Sequence, residues 1–170
     1  MKVFLTFFML CILQSGQAQV TRWIKLNQNN YQLFYPENWN YDSSNKSVAF
    51  FLKSKLVSDT DSFSENVNLI VQDISNYDLN LDSYAELSKK QINSMMAHSV
   101  ILSGEKIKAS GGTYYRIIFT AEQEGLKLKF IQHYYIKQKK AYVLTFTSLE
   151  STFDQYATVA QRILSSFLLR

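Results

Sequence analysis

Two histidines, one cysteine, fourteen acidic residues and eighteen basic residues make up the reactive inventory of this 170-residue chain. No H-E-x-x-H or comparable spacing links His98 with His133, so each is expected to be a solvated or hydrogen-bonded side chain rather than half of a metal site. No G-x-S-x-G elbow is present, and Ser103 and Ser110, which lie beside glycine in turns, lack a flanking acid and histidine. Gly111 and Gly112 belong to neither phosphate-cradling loop, G-x-x-x-x-G-K-S/T or G-x-G-x-x-G. The cysteine, Cys11, lies in an N-terminal apolar run, which leaves the rest of the chain without thiol chemistry, a disulfide framework or a multi-cysteine cluster. No cofactor is expected.

Charge is distributed unevenly. From Asp59 to Glu86 there are seven carboxylates and no lysine or arginine. Asp59, Asp61 and Glu65 fall in a loop, and several carboxylates on flexible backbone are what a hard cation such as calcium requires. An EF-hand pattern fails there, with no glycine at its sixth position and Ile70 in place of the closing glutamate, so a solvated acidic loop is the expectation. Residues 87–140 carry ten basic side chains against Glu105, Glu122 and Glu124. Strand alternation places Lys127, Lys129, His133 and Lys137 on one face with Ile131 and Tyr135, and Lys139 and Lys140 extend the row at a turn. Such a stripe would suit an acidic partner or an anionic surface. Its competing role is to protect exposed strand surface and keep the protein soluble.

The elements that would position these groups are mostly strands. Runs rich in β-branched and aromatic residues predict strands at 22–26, 31–35, 48–53 and 67–72, joined by Asn, Asp and Ser turns, including 38–47. Ser83 and Glu86 read as a capping box for a helix to about Ala97, with Leu87, Ile92, Met95 and Met96 on its buried face. Short strands at 100–102 and 105–109 are then followed by a meander at 113–122, 126–137 and 141–148. Val143, Leu144 and Phe146 are apolar on both faces of the last strand, which implies cover on both sides. Ser151 opens a second helix whose Phe153, Tyr156, Ala160, Ile163, Leu164 and Phe167 share one face. The expected class is α+β, an α/β/α sandwich with a central antiparallel sheet of about six to eight strands and two main helices.

With 46% hydrophobic and 15% aromatic residues, five glycines and one proline, the chain is neither disordered nor fibrous. Residues 1–18 combine Lys2, an apolar run from Val3 to Leu13, and Gly16 and Ala18 ahead of a cleavage point. This is the layout of a secretory signal peptide, and the run is too short for a membrane span. Residues 19–170 are expected to form one exported, monomeric domain without a membrane span. Export and the absence of a recognised motif argue against nucleic acid as a partner.

Taken in order, Tyr35-Pro36-Glu37-Asn38-Trp39, the run from Val48 to Leu52, Glu65-Asn66-Val67-Asn68-Leu69, Leu81 with Tyr84, Gly112, and the closing Phe153, Tyr156, Ile163, Ser166 and Phe167 resemble the PsbP-like family from about Trp23 to Leu168. The resemblance implies an α/β/α sandwich and a non-catalytic binding or assembly role toward an envelope or extracellular component. Within it, Pro36, Trp39 and Phe167 read as scaffold. A small-ligand or cation-binding domain is the alternative, followed by a hydrolase without a recognisable motif.

Overall fold

The computed structural model describes residues 22–170; the apolar leader, its cleavage point and Cys11 lie outside them. Along the chain come β1 (Trp23–Asn27), β2 (Tyr31–Pro36), β3 (Asn40–Asp42), β4 (Phe50–Lys53), β5 (Asn66–Asp73) and α1 (Leu81–Met95). The second half adds β6 (Ala97–Ala109), β7 (Gly112–Gln123), β8 (Leu126–Lys137), β9 (Lys140–Leu149), α2 (Phe153–Ser165) and β10 (Leu168–Leu169). Seven strands form one sheet in the order β3-β4-β5-β9-β8-β7-β6, and β1-β2-β10 form a smaller one. Every pairing is antiparallel.

The two sides of the large sheet differ in cover. On one side, Val67, Leu69, Leu144 and Phe146 meet Phe153, Ala160, Ile163 and Leu164 of α2 and Tyr31, Leu33 and Tyr35 of β2 in one apolar cluster. On the other side, Tyr84 and Ile92 of α1 pack on Ile117, Phe119, Phe130, Tyr134 and Val143. The result is a mixed α+β fold with three layers, the outer ones being α1 and the pair formed by α2 and the small sheet.

Local chemistry explains where the elements begin. Asn80 caps α1: its Oδ1 accepts from the Ser83 amide at 3.0 Å, while Ser83 Oγ accepts from the Asn80 amide at 2.9 Å. The capping box is therefore Asn80 with Ser83, three residues upstream of the expected Ser83 with Glu86. The buried face is correspondingly different: Tyr84, Ala85, Ser88 and Ile92 turn inward, whereas Leu87 and Met95 are 41% and 79% exposed. Residues 97–109 form one long strand rather than two short ones, with register shifts near His98 and Leu102 absorbing the irregularity. The segment 38–47 includes β3, which pairs with β4. In the hairpin turns, Glu124 (φ 53°) with Gly125 (φ 77°), and Gln138 (φ 52°) with Lys139 (φ 57°), adopt the left-handed pairs that suit strand twist.

Candidate functional site

The acidic loop is organised for folding. Asp61 accepts from the amides of Val57 (2.9 Å) and Phe63 (3.2 Å), using both carboxylate oxygens to hold the loop. Asp59 is exposed, while Glu65 is 2% exposed and points the other way, into the layer under α2. Its carboxylate accepts from Thr152 (2.7 Å) and Ser54 (3.2 Å), with Ser148 Oγ 3.5 Å away. Thr152 is the N-cap residue of α2, so this carboxylate also sits at the positive end of that helix. The cluster ties the start of β5, the end of β9 and the N-terminus of α2 together. The structure thus separates Asp59, Asp61 and Glu65, and no group of three or more His, Cys, Asp or Glu side chains is placed to hold a metal among the described residues.

The basic stripe is divided. His133 is fully buried, so it is corrected from surface candidate to core residue: the face it shares with the lysines is the one covered by α2 and the small sheet. Its ring stacks on Tyr114 with centroids 4.3 Å apart, and its Nδ1 lies 3.4 Å from the Tyr135 hydroxyl. Burial, reinforced by the Arg116 charge, holds its pKa down to about 3, so it is neutral at physiological pH. Ile131 and Tyr135 are buried beside it. Lys127 and Lys137 therefore stand at opposite ends of β8, roughly 34 Å apart at strand rise. Lys129 Nζ lies 4.0 Å over the Phe153 ring, while Lys139 and Lys140 occupy the β8–β9 turn.

Two features not anticipated from the sequence form open clefts instead. One lies between α2 and the small sheet, with a volume of about 570 Å³. Trp23 and Pro36 are cross-strand neighbours on β1 and β2, Trp39 forms a buried wall, and α2 contributes Tyr156 and Arg162. The Arg162 guanidinium stacks 4.0 Å over the Trp23 ring, leaving a flat cationic and aromatic surface beside a trough of mixed character in which Asn38, Gln155 and Thr158 accompany Pro36 and Val159. Both tryptophans of the chain converge here. The P-x-x-W sequence at 36–39 hinted at the wall, but its opposite side comes from a helix more than a hundred residues later.

The other cleft, about 400 Å³, lies on the large sheet where α1 ends. Here Asn66 and Asn68 of β5 and Thr145 and Thr147 of β9 face the opening, opposite in orientation to Val67, Leu69, Leu144 and Phe146. The sequence signal was present as strict alternation in Asn66-Val67-Asn68-Leu69. What alternation alone does not say is that the polar side would be a concave floor rather than open surface.

No curated protein matches the chain by sequence. Among solved structures, cyanobacterial PsbP from Synechocystis superimposes with a TM-score of 0.65 at 15% identity, covering 91% of this chain and 96% of that one. LpqN, described as involved in cell envelope biogenesis of Mycobacterium tuberculosis, gives 0.61 at 8% identity, covering 88% and 91%. A Ran-binding protein of Saccharomyces cerevisiae gives 0.60 at 9% identity, covering 86% and 95%. At these identities the likeness is one of fold. No helix among the described residues is long and apolar enough to cross a membrane. The PsbP family model matches residues 24–169, which span both sheets and both helices, and the chain belongs to the PsbP family.

Proposed function

We propose that this protein is an exported, non-catalytic binding or assembly module for an envelope or extracellular protein, and that the partner seats in the cleft formed by Trp23, Pro36, Trp39, Tyr156 and Arg162. The observation that carries the reading is the convergence of half-buried Trp23 and Tyr156 with exposed Arg162 on one open groove backed by buried Trp39. These are the residue types that supply most of the binding energy at protein interfaces, because their large rigid surfaces lose little entropy when covered. The complementary segment presents a carboxylate to Arg162 and an amphipathic side chain to the mixed trough beside it. Structural relatives described as a Ran-binding protein and as a protein involved in cell envelope biogenesis support a binding role for the fold. The signal-peptide pattern of residues 1–18 supports export.

Glu65 and His133, which sequence proximity and strand alternation offer as surface candidates, are both buried among the described residues, which leaves the open cleft as the surface for a partner. A photo-cross-linking residue at Thr158, on the rim of the cleft, should trap a discrete partner in the envelope fraction. Trp23→Ala and Arg162→Glu should abolish that adduct, while charge reversal at Lys127, Lys129 and Lys137 should leave it. An adduct unchanged by Arg162→Glu contradicts the assignment.

A further inference from the structure

A strand at the edge of a sheet offers unpaired main-chain groups to another chain, and natural edges are kept short, bent or lined with lysine to prevent it. Three of the four edges among the described residues fit that description. β3 has three residues and β10 two, while β6 carries two register shifts together with Lys106 and Lys108. β1 differs. It pairs with β2 in unbroken register over five residues, and its one lysine, Lys25, leans back over the Phe34 ring of β2 at 5.8 Å rather than across the free side. Which main-chain groups are free follows from the ladder. The Glu37 amide donates to the Arg22 carbonyl and the Gln28 amide to the Tyr31 carbonyl, both at 2.9 Å. Hydrogen-bonded pairs recur at every second residue, so Ile24 and Leu26 also bond to β2, and the N–H and C=O groups of Trp23, Lys25 and Asn27 point outward.

The side chains around this edge define what would pair with it. Residues 22–36 and 155–170 contain Arg22, Lys25, Arg162 and Arg170 and no aspartate or glutamate; Glu37, next in sequence, lies 3.8 Å from Arg22. Ile24 and Leu26 are half-buried on the face turned to the core, whereas Lys25 is exposed. An incoming strand therefore needs carboxylates on the alternate residues beside Lys25 and apolar side chains between them to finish the cover of Ile24 and Leu26. A second copy of β1 does not meet this need: the antiparallel register that uses all three free residues sets Lys25 opposite Lys25. Trp23 joins the edge to the cleft, since its ring forms the cleft wall and its main chain faces the free side. Given the tryptophan cleft as the partner's seat, on which this rests, we infer that the partner enters as an extended acidic segment that adds a strand to β1 by main-chain hydrogen bonds, its carboxylates facing Arg22 and Lys25 and its apolar residues covering Ile24 and Leu26.

The test is a nitrogen-15 NMR titration of the purified protein with the end-blocked peptide Glu-Val-Glu-Val-Glu-Val, with its block isomer Glu-Glu-Glu-Val-Val-Val and with Lys-Val-Lys-Val-Lys-Val. Only the alternating acidic peptide should bind, moving the amide proton signals of Trp23, Lys25 and Asn27 downfield and those of Ile24 and Leu26 less, because the latter already donate to β2. Proline at an outward amide removes an edge donor without touching the β2 ladder. Lys25→Pro and Asn27→Pro, the second of which leaves the charge intact, should each weaken binding about tenfold with the β2 signals kept, and Lys25→Gln about two- to fourfold, the loss of one exposed ion pair. Silence toward the alternating peptide, equal binding of its block isomer, or binding unchanged in both proline variants overturns it. So does a dimer of the parent that Lys25→Pro dissolves, which would assign the edge to a second copy. The cross-link at Thr158 separates the two readings: an adduct kept by both proline variants leaves the cleft and removes the added strand, whereas a parent that forms no adduct but binds the alternating peptide removes the cleft and keeps the strand.

Discussion

On the side of the large sheet under α2, Val67, Leu69, Leu144 and Phe146 have no solvent exposure, whereas one residue along on the same strands Asn66, Asn68, Thr145 and Thr147 line an open cleft. The same two strands thus serve a packed core on one side and a polar floor on the other. Polar groups also differ between the sides: Glu65, on the packed side, has hydroxyl partners from β9 and α2, and Asn68 Oδ1, on the open side, has none. Where burial is complete, sequence choice follows stability. Where α1 stops short, the residues are those that burial alone would not select.

The largest expected effect breaks the packed side. Phe146→Ala should cost about 3–5 kcal/mol in urea unfolding, through lost transfer energy and the cavity left behind, while Thr147→Val next to it should change stability by less than about 1 kcal/mol. Equal costs would mean that the sides are not distinct.

His133 gives the next effect, and it depends on pH. Its folded pKa of about 3 lies below the ordinary 6.5, so the unfolded chain binds the extra proton between those values. The associated stability is fully present above about pH 6.5 and declines as pH falls toward 3, by about 3 kcal/mol on reaching pH 4. His133→Leu should flatten that part of the stability profile; an unchanged acid limb would show that other groups set it.

A loss of about 2–3 kcal/mol is expected for Glu65→Ala, which leaves the hydroxyls of Thr152 and Ser54 without their acceptor at the start of α2. Urea midpoints should show it, with Glu65→Gln intermediate. The smallest effect sharpens the edge of the packed side: Lys129→Ala removes the ammonium from above Phe153 and should cost about 0.5–1 kcal/mol. A loss beyond 2 kcal/mol would place Lys129 in the core rather than at its rim.

These contrasts also show what the sequence could and could not convey. The α2 face was legible because Phe153, Ala160, Ile163 and Leu164 repeat at helical spacing and nothing local competes. The inward face of α1 was misread because Leu87 and Met95 are apolar yet flank the contact, while Ser88 is buried by donating to the Tyr84 carbonyl at 2.9 Å. Strand alternation correctly put His133 on the same face as the lysines; it could not say that α2 and the small sheet lie over the middle of that face. Glu65 was grouped with Asp59 and Asp61 by proximity along the chain, although two of its partners, Ser148 and Thr152, are 83 and 87 residues away. The tryptophan cleft was hidden for the same reason, since Trp23 and Arg162 meet only when α2 returns to the small sheet.

The packed side of the large sheet carries the stability of the fold, and the polar floor beside α1 adds little to it. Thermal unfolding of the Asn68→Leu, Thr147→Val double variant tests it most directly. The expected result is a Tm equal to or above that of the parent protein, because an unpartnered buried acceptor is removed and both side chains are replaced by apolar groups of similar size. A fall of about 5 °C or more, equivalent to over 1 kcal/mol in a domain of this size, would contradict it by showing that these side chains hold the sheet together.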